Sequence, residues 1–185
     1  RSSNGPEDYR LSLRPENHTG EKVVVDFTEG GGVAGRNTLG FEAAACYNSL
    51  SIQGEFQQIA IVSTEKSFKV QGYYAFVSYF LTGEHRPYKK GSFGRVSPKK
   101  SIDKGGAGAL EILARYSELN SSDAPTTFDG LETLGRTKDI TLGLNWYLNP
   151  YARVMYNFVR SDFGFNENNQ DKKEHAHLIR FQIDF

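Results

Sequence analysis

The sequence predicts an all-β fold, an antiparallel transmembrane β-barrel of which about eight strands are present. Long segments alternate between apolar and polar side chains with a period of two, the pattern of a strand with lipid on one side and water on the other. Several of these segments exceed ten residues, whereas strands of globular sheets average ~5–6 residues. Aromatic residues form 13 % of the chain, which suits the interfacial girdles of membrane barrels.

The strands can be placed in order along the chain. The first is expected within residues 1–28, where the segments 9–14 and 23–27 both alternate. Seven further strands are predicted at roughly residues 38–48, 50–63, 68–83, 106–119, 136–148, 151–163 and 175–185.

The alternation assigns a face to each side chain of the last four strands. The residues predicted to face lipid include Leu110, Ile112, Ala114, Tyr116, Ile140, Leu142, Leu144, Trp146, Ala152, Val154, Tyr156, Phe158, Ile179, Phe181, Ile183 and Phe185. The residues predicted to face the interior include Glu111, Arg115, Ser117, Asn145, Tyr147, Arg153, Met155, Arg180 and Gln182. Each strand therefore has one apolar face and one polar face.

The connections alternate between short and long. Tight turns at 48–49 and 149–150 contrast with polar loops at 120–135 and 164–174. Membrane barrels have short periplasmic turns and longer external loops. We therefore expect the tight turns and the C-terminus on the periplasmic side, and the long loops outside.

Residues 84–105 break this rule, because 22 residues stand where a tight turn is expected. This inserted loop carries seven Lys or Arg residues against two acidic ones. Either it folds into the lumen and narrows a pore, or it is a solvated basic loop. Phe76 and Phe80 of the preceding strand fall on the interior face. They either pack under the inserted loop, or the assumed phase of that strand is wrong by one residue.

Composition excludes other classes of protein. Acidic and basic residues balance at 22 each, so no net charge favours a nucleic-acid partner. The apolar runs are far shorter than the ~18 residues of a membrane-spanning helix. The chain opens without an apolar export segment, so we expect a processed chain or a piece of a longer polypeptide.

No motif of an enzyme is present. The sequence lacks both the Gly-x-Ser-x-Gly elbow and the Gly-x-x-x-x-Gly-Lys-Ser/Thr loop. His175 and His177 share a strand face, but two ligands are too few for a metal site. We expect no catalytic residue, no cofactor and no metal, and the single cysteine allows no internal disulfide.

Four stretches carry a family pattern: residues 72–89, 106–117, 141–149 and 180–185. The first contains Thr82-Gly83-Glu84 after an aromatic strand, and the third contains Leu-Gly-Leu-Asn-Trp-Tyr. Together they resemble the phosphate-selective porin O and P family. The resemblance implies a trimeric, sixteen-stranded porin of the bacterial outer membrane with a lumen lined by arginines and lysines. Residues 1–185 would then be a single barrel domain or the C-terminal portion of one.

Cationic residues are the candidates for an anion pathway. Arg10 and Arg14 resemble the arginine-bearing inward stretch of the family, while Arg115, Arg153 and Arg180 point inward by alternation. A basic patch near the periplasmic mouth would comprise Arg86, Lys89, Lys90 and Arg95. Arginine suits phosphate because its planar fork donates two parallel hydrogen bonds and keeps its charge. The alternative for each strand arginine is an ion pair with a lumen carboxylate such as Glu42, Glu55, Glu111 or Asp184.

The expected function is passive diffusion of phosphate-type or polyphosphate-type anions through an outer-membrane porin. The expected partners are the lipid bilayer, small inorganic anions and further copies of the chain in a homotrimer. The alternative is a non-conducting β-barrel, either a structural outer-membrane protein or a soluble ligand-binding barrel. The outward face discriminates, because a membrane protein should expose it and a soluble one should cover it with a second sheet. The diagnostic residues are Leu110, Ile112, Leu142, Leu144, Ile179 and Phe181.

Overall fold

A computed structural model describes residues 10–13, 23–26, 33–63, 67–89, 91–121, 134–165 and 172–184. In chain order the strands are β1 (Arg10–Leu13), β2 (Val23–Asp26), β3 (Val33–Tyr47), β4 (Leu50–Ser63), β5 (Ser67–Phe80), β6 (Tyr88–Lys89), β7 (Ser92–Phe93), β8 (Ala109–Asn120), β9 (Leu134–Tyr147), β10 (Ala152–Phe165) and β11 (Lys172–Ile183). A single 3₁₀ turn covers Ile102–Lys104. None of the described residues belongs to a helix long and apolar enough to cross a membrane.

All seven long strands that the sequence predicts are confirmed, with ends shifted by a few residues. The strand expected within residues 1–28 is instead two short strands, one in each of the two candidate segments. The two segments proposed for it, β1 and β2, pair with each other in a short antiparallel sheet, with Arg10 opposite Asp26.

The seven long strands form one antiparallel sheet in the order β11-β10-β9-β8-β5-β4-β3. Each strand pairs with its successor in the chain, and β5 pairs with β8 because β6 and β7 form a separate hairpin between them. Over the described ranges the sheet is open, with β3 and β11 at its edges. The all-β antiparallel part of the prediction is therefore confirmed. The described strands do not close into a barrel, so closure stays a prediction.

Cross-strand register divides the sheet into two faces. Residues that are directly opposite each other in neighbouring strands lie on the same face. One such row crosses all seven strands and consists of Tyr47, Leu50, Tyr79, Ile112, Leu144, Tyr156 and Ile179. Every member of this row is exposed. We call the face that carries it the outer face and the opposite one the inner face.

One end of the sheet, the lower rim, gathers the short turns and the inserted loop. Asn48 turns β3 into β4 with a positive φ of 50°, a conformation that asparagine tolerates. The loop between β5 and β8 runs along this rim. His85 Nδ1 lies 3.0 Å from the Asn48 carbonyl oxygen, and the Ile102 amide donates to the Leu148 carbonyl at 2.9 Å. One side-chain contact and one backbone hydrogen bond, both to carbonyl oxygens, therefore tie the inserted loop to the two neighbouring turns.

The apolar band of the outer face is inclined relative to the cross-strand rows. On β11 it reaches down from Ile179 to Ile183, whereas on β3 it reaches up from Tyr47 to Leu39. The band rises by nearly one residue per strand across the sheet. With ~3.3 Å per residue and ~4.8 Å between strands, this slope corresponds to a strand tilt of roughly 30–35°. That value is close to the ~35–45° tilt of strands in membrane barrels.

Candidate functional site on the inner face

The inner face collects the polar residues of the long strands. Arg115 lies opposite Phe76 and Thr141. The buried polar residues of this face include Ser51, Ser78, Glu111, Thr137, Asp139, Thr141, Asn145 and Ser161. Alternation accounts for this grouping, because each of these residues is one position away from an outer-face residue of its own strand.

The inserted loop packs against the lower part of the inner face. Val96 of the loop forms a buried apolar cluster with Phe80, Ala109 and Tyr147. Phe80 is fully buried, and its ring centroid lies 5.8 Å from that of Tyr147. The apparent misfit of this phenylalanine in a polar face is thereby explained, because the loop covers it. Phe76 lies on the same face, so the phase assumed for that strand is right.

Arg86 fastens the loop to the sheet through a buried carboxylate. Its Nη2 donates to Glu111 Oε1, and the two side chains are 13 % and 0 % exposed. Asn145 Nδ2 and Tyr147 OH donate to the other oxygen of Glu111, at 2.9 and 3.0 Å. Burial by itself would lower the pKa of Arg86, but the Glu111 charge, Tyr147 and the hydrogen bonds to both together raise the pKa above its ordinary value. Arg86 therefore stays cationic and serves first as an anchor.

A pocket of about 370 Å³ opens beside this anchor at the lower rim. Arg86, Arg95 and Arg153 line it, together with the carboxylate of Asp184. The remaining lining residues are Phe93, Gly94, Val96, Tyr147, Asn149, Pro150, Tyr151 and Ala152. Glu111 compensates the charge of Arg86, so Arg95 and Arg153 against Asp184 leave an excess of positive charge around the space.

Aromatic rings and an amide hold two of these arginines in position. The guanidinium carbon of Arg95 lies 4.7 Å from the Tyr151 ring centroid, within the range of cation–π attraction. Arg153 donates from Nη2 and Nε to Gln182 Oε1, at 2.8 and 3.2 Å. Neither arginine is neutralised by these contacts, because a ring and an amide carry no net charge.

The remaining sequence candidates are spread along the inner face or lie away from it. Arg180 stands opposite Met155, two residues above the row of Arg153. Arg115 lies higher on the sheet, with its guanidinium carbon 4.2 Å from the Tyr74 ring centroid. Lys89 is exposed in the β6–β7 hairpin.

Three candidates have no side-chain description. Arg10 begins β1, and Arg14 and Lys90 lie outside the described residues. The structure therefore groups Arg86, Arg95 and Arg153 in one pocket and leaves the contribution of Arg10 and Arg14 as a prediction.

Several residues that shape this site have no role predicted from the sequence. Tyr147, Asn145, Gln182 and Tyr151 hold the charged groups by hydrogen bonds or ring contacts. Part of the signal was available, because Tyr147 and Asn145 share the inward parity of β9. Their pairing with Glu111 and Arg153 depends on cross-strand register, which alternation does not specify.

Comparison with known proteins identifies relatives. The sequence profile described as phosphate-selective porin O and P matches residues 4–185. Porin O of Pseudomonas aeruginosa is 31 % identical over 156 residues, which cover 79 % of this chain and 34 % of that protein. An uncharacterised protein of Caulobacter vibrioides is 46 % identical over 119 residues, which cover 62 % of this chain and 23 % of that protein. The matched part thus spans about a third of the length of the Pseudomonas protein and about a quarter of the length of the Caulobacter protein.

Proposed function

The chain belongs to the phosphate-selective porin O and P family, and from this premise we propose that it forms part of the wall of a channel for passive diffusion of small anions. Its location is the bacterial outer membrane. The observation that carries the proposal is the lower-rim pocket, in which Arg86, Arg95 and Arg153 surround a space of about 370 Å³.

The outer face supports a wall that contacts lipid. Five of the six diagnostic residues, Ile112, Leu142, Leu144, Ile179 and Phe181, are between 39 % and 76 % exposed, and Leu110 is half-buried. A soluble ligand-binding barrel or sandwich would cover such a face, because exposed apolar surface of this extent is unfavourable in water. Contact with acyl chains removes that cost. The soluble alternative is therefore disfavoured.

The inner face supports an anion pathway. A channel needs several sites that bind an ion well enough to admit it and weakly enough to release it. Arg180 stands just above the pocket, and Arg115 lies six residues above the row of Arg153, about 20 Å along the strands. In this series of binding positions the rim pocket would be the lowest. Arg10 and Arg14 remain predicted members of the series.

The inserted loop supports a constriction at the same level. It lies against the inner face and is held there by the Glu111 network and by Val96. A barrel of sixteen strands would leave an aqueous lumen, and a loop on the inner face would narrow it. Sixteen strands, three copies per assembly, and phosphate or polyphosphate as the permeant are part of this proposal.

Reversal potentials in a planar bilayer test the proposal directly. The full chain with Arg95→Gln and Arg153→Gln should lose several-fold in anion over cation permeability, because two unneutralised charges leave the pocket. The matched control, Arg136→Gln with Arg160→Gln, removes two arginines from the outer face and should leave the reversal potential unchanged. Equal potentials for the wild type and the pocket variant, or an absence of channels, would contradict the proposal.

A further inference from the structure

The upper end of the outer face carries a belt of charged residues directly above the apolar band of β8–β11. We call it the polar belt, and it consists of Glu118, Arg136, Lys138, Arg160, Asp162, Lys173 and His175. Every Lys and Arg on the outer face of the seven described strands lies at this end: the four in the belt and Lys69 of β5. The lower end of the same face ends in apolar residues such as Trp146, Phe181 and Ile183.

The belt is compact because the register stacks its members. Lys138, Asp162 and Lys173 are consecutive partners in one cross-strand row. Arg160 is opposite His175 in the next row down. Directly opposite and diagonal side chains in neighbouring strands lie within reach of a common ligand.

The two carboxylates of the belt leave positive charge in excess. Glu118 is 7 % exposed and accepts hydrogen bonds from Arg136, Tyr73 and Tyr116 at 2.7 to 2.8 Å. Asp162 is the nearest carboxylate for Arg160, at 3.3 Å, and also stands between Lys138 and Lys173 in their row. Lys138 lies between Glu118 and Asp162 in that row, so four Lys and Arg side chains share two carboxylates. The side chain of Arg160 is partly exposed and Lys173 is exposed.

The height of the belt matches the level of lipid headgroups. Ile183 and Lys173 are about ten residues apart on β11, or ~33 Å along the strand. At the tilt of roughly 30–35° this distance projects to about 27–29 Å, near the ~25 Å height of the apolar band of membrane barrels. Charged residues on the lipid side are costly at mid-membrane and tolerated near the interface. The belt is thus placed where phosphate groups of one leaflet lie.

We propose that the polar belt binds lipid headgroups whose phosphate gives them a net negative charge, in the leaflet on the side of the long loops. Clusters of Lys and Arg attract anionic headgroups, and arginine adds paired hydrogen bonds to phosphate oxygens. A lipid is favoured over a free anion because the belt continues into the apolar band, so acyl chains and phosphate are bound together. The proposal rests on the membrane location and not on the selectivity of the pore.

Native mass spectrometry of the detergent-solubilised full chain tests the belt with two lipids, phosphatidic acid and phosphatidylcholine. The variant with Lys138→Gln, Arg160→Gln and Lys173→Gln should retain phosphatidic acid at least roughly tenfold more weakly, because three headgroup contacts are lost. Retention of phosphatidylcholine should not change. The matched control, Lys99→Gln, Lys100→Gln and Lys104→Gln, removes three charges at the opposite rim and should retain phosphatidic acid like the wild type.

Two further measurements distinguish lipid binding from a folding defect of the variant and from binding of free phosphate. A variant with Lys138→Arg, Arg160→Lys and Lys173→Arg keeps the charges and should keep phosphatidic acid. Inorganic phosphate in large excess should not displace the lipid. Unchanged retention in the glutamine variant, an equal loss in the control, or displacement by inorganic phosphate would overturn the proposal. The belt variant should keep the reversal potential of the wild type, which shows that a loss of lipid is independent of the selectivity of the pore.

Discussion

Two buried carboxylates of β8, on opposite faces of the sheet, each accept hydrogen bonds from one arginine and two neutral side chains. Glu111 of the inner face is fully buried and accepts hydrogen bonds from Arg86, Asn145 and Tyr147. Glu118 of the outer face is 7 % exposed and accepts hydrogen bonds from an arginine and two tyrosines. In each case an arginine supplies the charge and neutral groups complete the shell, as a buried carboxylate requires.

The origin of the arginine separates the two sites. Glu111 takes its arginine from the inserted loop, so the ion pair holds a separate segment against the polar face. Glu118 pairs with Arg136 of the neighbouring strand, so this ion pair joins two strands that the sheet already holds together. The first pair therefore positions an element of the proposed pathway, whereas the second hides a carboxylate at the edge of the apolar band.

Glu111→Ala should have the largest effect, because it leaves the buried Arg86 without its carboxylate. Breaking a buried pair in this way costs about 3–5 kcal/mol. We expect a lower urea midpoint and faster tryptic cleavage of the inserted loop, which offers Lys89 and Arg95 as sites. The control Glu42→Ala, on the exposed end of the same face, should change neither. A loop that stays resistant to trypsin in Glu111→Ala would show that Arg86 does not hold it.

Gly108→Ala should have an intermediate effect and tests whether the loop also depends on backbone contact. Gly108 has a φ of 75°, and an added Cβ would lie 2.3 Å from the Tyr147 carbonyl oxygen. Backbone strain of this kind costs about 1–3 kcal/mol, and the clash adds to it. Gly91→Ala has a similar φ and no atom near the added Cβ, so it measures the strain alone. Equal urea midpoints for the two variants would contradict the close approach.

Glu118→Gln should have the smallest effect of the three. The amide keeps the shape of the side chain but loses the charge that Arg136 contacts, at a cost of about 1–2 kcal/mol. Trypsin should cleave the inserted loop no faster than in the wild type. Tyr116→Phe removes a single neutral hydrogen-bond donor to Glu118, so it should lower the urea midpoint less than Glu118→Gln does. A loss in Glu118→Gln as large as in Glu111→Ala would erase the distinction between the two carboxylates.

The alternation of apolar and polar residues within each strand predicted most of the fold. The seven long strands and the faces of Glu111, Arg115 and Arg153 follow from a period of two, which each strand displays by itself. The pairing of β1 with β2 was not predicted, because both strands are short and alternation over a few residues does not say which partner a strand takes. The pairing of Arg86 with Glu111 was missed for a related reason, since it joins a loop to a strand.

The sequence by itself determined which side chains share a face, because successive residues of a strand point in opposite directions whatever the strand pairs with. It thereby determined that one surface of the sheet is apolar and the other is polar. Only the tertiary structure decided which polar residues meet, since contacts across strands depend on register and contacts with the loop depend on its path. The arginine pocket at the lower rim, the buried Glu111 anchor and the inclined apolar band all belong to that second kind of information.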